Sequence, residues 1–241
     1  FPDIYEFTAN GHIVLNKLES SEKTTIALTT GLALGGGLEL ALACDYRIGT
    51  RKTQFRFPET SIGIFPGLGG TQRPARIAGL PAARWAVLAG NFMNARTAAD
   101  LGLVTNLVDV TQVDATISEL DSSGKPVEKY PSKPVNPDSN IAMFAESFYS
   151  DENIITILDG KCPEGFDSQD KNVARQMKSL SRTAPIALRM ASDLIDAAGT
   201  TELSDGLTKE LDKLEAIFST NDALEGLSAL IEGRKPTYQN S

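Results

Sequence analysis

The three consecutive glycines Gly35, Gly36 and Gly37 constrain the fold of this 241-residue chain more than any other feature. They stand between a β-favouring run at residues 24–30 and an alanine- and leucine-rich segment at residues 38–44. β-Branched residues favour strands, whereas alanine and leucine favour helices. Because glycine lets the backbone turn sharply, the sequence predicts a strand, a tight turn and a helix here.

Short strands and helices continue to alternate as far as residue 108. Pro58 ends a strand-like run, and Asn94 is placed to cap a helix. Alternation of this kind is typical of an α/β core. The predicted elements are strands at residues 46–49, 53–57 and 103–108 and helices at residues 71–90 and 95–101.

The two ends of the chain differ from this core. Residues 4–18 have a loosely helical apolar pattern, and we expect this helix to pack on a part of the protein that precedes Phe1 and is absent. Residues 122–140 contain four prolines and predict a linker or surface excursion. From residue 141 to about residue 233 the pattern is mostly helical, with an irregular stretch at residues 160–168.

Composition excludes several classes of function. The net charge of −8 argues against a nucleic-acid partner, and the longest apolar stretch, residues 26–44, is too polar for a membrane span. Cys44 and Cys162 lie far apart without metal-ligand spacing, which indicates no metal site and favours a cytoplasmic location. The single histidine, His12, has no neighbouring Cys or carboxylate cluster, so a structural or surface role is favoured over catalysis.

Two glutamates are candidates for acid–base chemistry. Glu39 lies inside the apolar helix, where a buried carboxylate is costly unless it is paired or functional. It could instead point to solvent or pair with Arg47. Glu59 follows Pro58 at a strand end beside a second glycine loop, residues 66–70, where a general acid or base is plausible. Taken alone, a glutamate at such a position is more often a turn residue.

Residues 31–45, GLALGGGLELALACD, together with FPE at residues 57–59 and PGLGGTQR at residues 66–73, resemble the crotonase or enoyl-CoA hydratase superfamily. The two glutamates have the family spacing of twenty positions (59 minus 39). The resemblance extends over about residues 4–108 and resumes near residue 184.

The resemblance implies an α/β fold: a crotonase (ClpP-like) spiral core of repeated β-β-α units that lacks its N-terminal strands, followed by a C-terminal helical layer. We accordingly predict a crotonase core at residues 1–110, an insertion or linker with helices at residues 111–182, and a C-terminal helical part at residues 183–241.

The same resemblance assigns roles to four residues. The amide of Gly36 forms half of an oxyanion hole, whose other amide comes from a segment expected before Phe1. Glu39 and Glu59 hold and activate a water molecule, with Glu59 as the proton donor to the α-carbon. An amide at Gly67 helps line the site. Because isomerases usually keep only the glutamate that matches Glu59, the pair favours hydration of a 2-trans-enoyl-CoA such as crotonyl-CoA.

The same resemblance also leaves alternative functions open and implies possible partners. The alternatives are an enoyl-CoA isomerase, another crotonase-type lyase, or a non-catalytic crotonase-like scaffold. Coenzyme A is expected only as part of the acyl-CoA substrate, with no further cofactor. Crotonase proteins form homo-oligomers, usually trimers or hexamers. The glycine motifs and the long insertion also resemble the hydratase part of archaeal bifunctional proteins with an upstream 3-hydroxyacyl-CoA dehydrogenase domain.

Overall fold

The computed structural model describes residues 2–241. Its first element is the helix α1 (Pro2–Glu19), which confirms the helix predicted at residues 4–18. The packing expected for it on a part that precedes Phe1 stays a prediction, and its apolar side chains Phe7, Ile13 and Val14 are exposed. One face of α1 contacts α2 (Gly36–Ala43) and α11 (Leu203–Phe218), both of which belong to this chain. These partners lie far along the sequence, so the periodicity of α1 could not reveal them.

Within residues 2–241, six short strands form two three-stranded sheets. In the first sheet β1 pairs in parallel with β3, and β3 pairs in parallel with β6. In the second sheet β2 pairs in parallel with β4, and β4 pairs antiparallel with β5. The strands are β1 (Ile26–Thr29), β2 (Leu32–Leu34), β3 (Tyr46–Gly49), β4 (Gln54–Arg56), β5 (Met93–Asn94) and β6 (Asn106–Leu107).

The pairing makes the chain a spiral of β-β-α units. β1, β2 and α2 form one turn, and β3 and β4 followed by helices form the next turn, with each strand beside its counterpart in the preceding turn. Ile26 is opposite Tyr46 in one sheet, and Leu32 is opposite Gln54 in the other. The predicted α/β spiral is therefore confirmed.

Several predicted boundaries were wrong in detail. The helical run at residues 71–90 divides into α3 (Arg73–Ala78) and α4 (Leu80–Leu88) because Gly79 has a φ of 88° and interrupts the helix. The strand predicted at residues 103–108 shortens to β6. The short strand β2 was not predicted, since three residues carry too little periodicity to show. The cap at Asn94 is confirmed: its side chain accepts from Thr97 N at 2.9 Å and begins α5 (Ala95–Asp100).

The second half of the chain is helical, as predicted. Residues 124–139 form no helix or strand, which confirms the linker. The irregular stretch near residues 160–168 is also present, between α8 and α9. The helices are α6 (Val113–Ser123), α7 (Asn140–Phe148), α8 (Ile154–Leu158), α9 (Lys171–Leu180), α10 (Pro185–Ala198) and α12 (Asn221–Glu232), with α11 between the last two.

One large apolar core joins the spiral to the later helices. Phe55 and Phe57 from the spiral are fully buried in the same cluster as Phe148 from α7 and Leu194 from α10. Because α10 also packs on α11, this core places α11 opposite α2 and so frames the site described below. The domain limits at residues 110 and 182 stay a prediction.

Residues 2–241 contain neither a candidate membrane-spanning helix nor a candidate metal-binding cluster. None of the helices has the length and apolar character needed to cross a membrane. No group of three or more His, Cys, Asp or Glu side chains in this part of the chain is arranged to hold a metal ion.

Candidate active site

A cavity of about 520 Å³ lies between the two glycine loops, and all four site residues predicted from the sequence line it. Gly36 and Glu39 come from the start of α2, Glu59 from a short 3-10 helix after β4, and Gly67 from the second loop. The structure thus brings three separate segments to one site. The rest of the lining is mostly apolar and comprises Asp3, Ile4, Phe7, Thr8, Ile64, Phe65, Leu68, Leu214 and Phe218.

Glu39 is a buried carboxylate held by the second glycine loop. It is 2% exposed, and its Oε1 accepts hydrogen bonds from the amides of Leu68 at 2.7 Å and Gly70 at 2.8 Å. The alternative of a solvent-facing side chain is therefore wrong. The alternative of a pair with Arg47 is also wrong, because that guanidinium donates to backbone carbonyls, including Leu103 O at 2.9 Å.

Glu59 begins the 3-10 helix Glu59–Ile62, directly after Pro58. The side chain is buried, and its Oε2 has no hydrogen-bond partner among the described residues. Its Oε1 lies against Gly35, where a Cβ would overlap it. Since a buried polar atom normally has a partner, the unpaired oxygen in a cavity indicates a place for water or a ligand group.

Burial raises the pKa values of both glutamates. The pKa of Glu59 rises to about 7, although its own backbone amide and the charge of Arg56 act in the opposite direction. Burial, followed by the negative charges of Glu59 and Glu210, raises the pKa of Glu39 well above its usual 4.5, and its two amide hydrogen bonds only partly offset this. Two such carboxyl groups can share a proton near neutral pH, as an acid–base pair requires.

This arrangement predicts that the site lowers the stability of the fold at neutral pH. In the unfolded chain Glu59 ionises near pH 4.5, whereas in the folded protein its pKa is about 7. The stability associated with the neutral carboxyl is therefore fully present below pH 4.5 and is lost as the pH rises through 7. The loss at pH 8 amounts to about 3 kcal/mol.

Glu59→Gln, which cannot ionise, is accordingly expected to be more stable than wild type at pH 8 and similar to it at pH 4.5. Urea unfolding at both pH values measures the difference in the free energy of unfolding. If the difference between the two proteins is the same at both pH values, the raised pKa is refuted.

Gly36 is the first residue of α2, and its position fits an oxyanion donor. The first amides of a helix have no intrahelical acceptor, and the helix dipole favours negative charge at this end. A Cβ on Gly36 would lie 4.0 Å from Glu39 Oε2, so the backbone at Gly36 adjoins the free oxygen of that carboxylate. The role of this amide stays a prediction.

Gly67 lines the cavity, and its carbonyl oxygen accepts a hydrogen bond from His12 on the side away from the cavity. The Nε2 of His12 lies 2.6 Å from Gly67 O and 3.4 Å from a carboxylate oxygen of Glu210. Because both neighbours are acceptors, Nε2 carries a proton and donates it to the carbonyl. The ring is buried and does not line the cavity, which agrees with the structural role predicted for His12.

Sequence reasoning missed Glu210 on α11. This side chain is fully buried and accepts hydrogen bonds from the backbone amides of Gly69 and Thr71, below the second glycine loop. A signal for it exists in the sequence. Glu210 falls between Leu207 and Leu214 on the apolar stripe of α11, where a carboxylate is as unusual as Glu39 is in α2.

Comparison with known proteins agrees with this fold. Residues 3–241 match the family model described as enoyl-CoA hydratase/isomerase. The chain is 31% identical over 237 residues to the enoyl-CoA isomerase/hydratase fer4 of Mycosarcoma maydis, covering 98% of this chain and 66% of that protein. It is 30% identical over 213 residues to the peroxisomal bifunctional enzyme of Danio rerio, covering 87% of this chain and 26% of that protein.

Solved structures show the same fold at low sequence identity. A carnitinyl-CoA dehydratase from Mycobacterium thermoresistibile superposes with a TM-score of 0.76 at 18% identity, over 98% of this chain and 68% of that one. An enoyl-CoA hydratase from Rhodobacter sphaeroides gives the same TM-score at 20% identity and the same coverage. From the family match and the spiral architecture, the chain belongs to the enoyl-CoA hydratase/isomerase family of the crotonase superfamily.

Proposed function

We propose that the protein is an enoyl-CoA hydratase, a hydro-lyase that reversibly adds water to a 2-trans-enoyl-CoA, such as crotonyl-CoA, to form the 3-hydroxyacyl-CoA. The observation that carries the proposal is the pair of buried glutamates, Glu39 and Glu59, in one cavity beside a helix N-terminus. The crotonyl-CoA hydratase of Syntrophomonas wolfei, 28% identical over 97% of this chain, supports the same assignment.

The two glutamates divide the proton transfers. Oε1 of Glu39 is occupied by two loop amides, so the side chain is oriented with Oε2 free to hold water and accept its proton. Glu59, with its unpaired Oε2 and raised pKa, gives a proton to the α-carbon as the water oxygen bonds to the β-carbon. One proton enters the pair and one leaves it, so the product gains one water molecule.

Negative charge develops on the thioester oxygen while water adds. The amide of Gly36, at the start of α2, is placed to donate to this oxygen, and an oxyanion donor is typically worth about 10²–10³-fold in rate. The amide of Gly67 is proposed to help line the water and substrate site. Neither role requires a charged side chain, which suits a thioester that is neutral before reaction.

The apolar walls of the cavity suit the acyl chain of the substrate. Phe7 of α1 and Leu214 and Phe218 of α11 contribute to this lining. Coenzyme A enters as part of the substrate, and we propose no other cofactor.

The assembly is proposed from the family, and the location from the two widely separated cysteines. We propose a homo-oligomer, either a trimer or a hexamer, in the cytoplasm. The name of the Danio rerio relative, a bifunctional enzyme, supports a second activity in the same protein, for which we propose an upstream 3-hydroxyacyl-CoA dehydrogenase domain.

The proposal is tested by following the conjugated thioester absorbance of crotonyl-CoA in the presence of the purified protein. We expect the absorbance to fall as 3-hydroxybutyryl-CoA forms, and to rise when the hydroxy product is supplied instead. Conversion of a 3-enoyl-CoA to the 2-enoyl-CoA without hydration would make the protein an isomerase. Turnover of neither substrate would indicate a non-catalytic scaffold.

A further inference from the structure

The second glycine loop is held between two buried carboxylates on opposite sides. Four consecutive amides, three in the loop at residues 68–70 and one directly after it at residue 71, alternate between the two carboxylates. Those of Leu68 and Gly70 donate to Glu39 Oε1. Those of Gly69 and Thr71 donate to the two oxygens of Glu210, at 2.7 and 3.2 Å.

The alternation has a backbone cause. Gly69 has a φ of 93°, which other residues rarely adopt, and a turn containing such a residue can direct successive amides to different sides. The carboxylate of Glu210 also accepts from the Thr71 hydroxyl at 2.5 Å. Because the loop is short and both of its faces are hydrogen-bonded, we expect that displacing the amides on one side also displaces those on the other.

Glu210 is connected to both helices that line the cavity. On α11, Leu214 and Phe218 follow it at intervals of four residues and line the cavity. On α1, Thr8 lines the cavity one turn before His12, whose Nε2 lies 3.4 Å from Glu210 Oε2. The two side chains therefore join these helices at the loop.

Glu210 itself is too deep to touch a substrate. It is fully buried and does not line the cavity. The charged or titratable side chains near it are His12, Arg73 and Glu39. Arg73 also donates to Leu68 O at 3.0 Å, so it holds the loop from a further direction.

We propose that Glu210, assisted by His12, is a positioning residue for Glu39: it fixes the amides of Gly69 and Thr71 so that those of Leu68 and Gly70 remain aimed at the Glu39 carboxylate. The effect on turnover rests on the proposed hydratase function, whereas the effect on the loop amides does not.

The first test uses amide hydrogen exchange, which does not depend on activity. In Glu210→Gln the amides of Leu68 and Gly70, which do not contact residue 210, are expected to lose protection together with those of Gly69 and Thr71. A local packing role for Glu210 would expose only the latter two amides. That result would overturn the proposal even if the protein proved to have no hydratase activity.

The second test uses kinetics with crotonyl-CoA. Because a displaced catalytic group can cost about 10²-fold, kcat of Glu210→Gln is expected to fall by about that factor per folded molecule, with KM within about threefold of wild type. The matched control is Glu215→Gln, an exposed residue of the same helix that should behave as wild type. An unchanged kcat in Glu210→Gln beside an active wild type would overturn the positioning role alone.

A conservative variant keeps the proposal testable if Glu210→Gln does not fold. Glu210→Asp preserves the charge but shortens the side chain by one methylene, so its oxygens cannot reach both loop amides at the present distances. We expect a reduced kcat and reduced protection of the Leu68 and Gly70 amides. Wild-type values for both would show that charge alone matters and would overturn the proposal.

Discussion

Replacing Glu59 by Gln is expected to lower kcat for hydration of crotonyl-CoA by about 10²- to 10⁴-fold, and Glu39→Gln by a similar factor. Glutamine has nearly the same shape as glutamic acid but can neither accept the proton of water nor deliver one to carbon. Because burial of these residues disfavours charge, neither change should harm the fold. Initial rates with crotonyl-CoA, with folding followed by circular dichroism, measure the effect.

The control for this pair is Glu119→Gln, an exposed position on α6 that should leave kcat and KM unchanged. Loss of activity in both glutamate variants would show that the two carboxyl groups act together. If a single variant alone were inactive, one carboxyl would suffice, as in an isomerase. Wild-type turnover in both variants would rule out the proposed mechanism.

Gly35→Ala is expected to reduce kcat by about 10²-fold through displacement of Glu59. Gly35 has a φ of 49°, where an alanine is strained by about 1–3 kcal/mol. The added Cβ would also overlap Oε1 of Glu59, so the carboxyl must move from its present position. Steady-state kinetics with crotonyl-CoA and thermal unfolding of the variant would report both effects.

Gly37→Ala provides a matched control two residues away. No atom lies within 4 Å of a Cβ built on Gly37, and this residue is already inside α2. Alanine is favoured over glycine in a helix by about 1 kcal/mol, so the variant should be active and slightly more stable. Equal losses of activity in the two variants would mean that flexibility of the glycine triplet, and not the contact at Gly35, is what matters.

Much of the spiral could be predicted because its signals are local. The glycine triplet between a β-favouring run and an apolar helix predicts a strand, a turn and α2, and Asn94 marks the start of α5 through a single cap. The division at Gly79 was missed although the sequence carries a signal for it: Pro74 is tolerated at the start of the predicted helix, but Pro81 would lie in its interior, where proline breaks a helix. Strand β2 is too short for its periodicity to register.

The sequence alone identified the candidate site residues and their spacing, and all four line the cavity. Glu39 lies at an unusual position for a carboxylate, inside an apolar helix, whereas Glu59 was distinguished only by the motifs around both residues, which resemble one family. What the sequence could not determine was how each carboxylate is held. The amides that bind Glu39 come from residues 68 and 70. Whether the Glu39 carboxylate contacts these amides, solvent or Arg47 depends on how the loop packs over α2.

The hydrogen bonds of Glu210 could not be predicted from the sequence either, because its partners lie still farther along the chain. It lies 141 positions from Gly69, and only the docking of α11 across the spiral brings its carboxylate to that amide. The packing partners of α1 were likewise decided by this docking. Short-range turns, caps and hydrophobic periodicity are encoded by neighbouring residues, whereas contacts across the core depend on the burial of apolar faces from the whole chain. The sequence therefore determined which residues could perform the chemistry. The tertiary structure decided which backbone amides orient the two carboxyl groups and how far burial raises their pKa values.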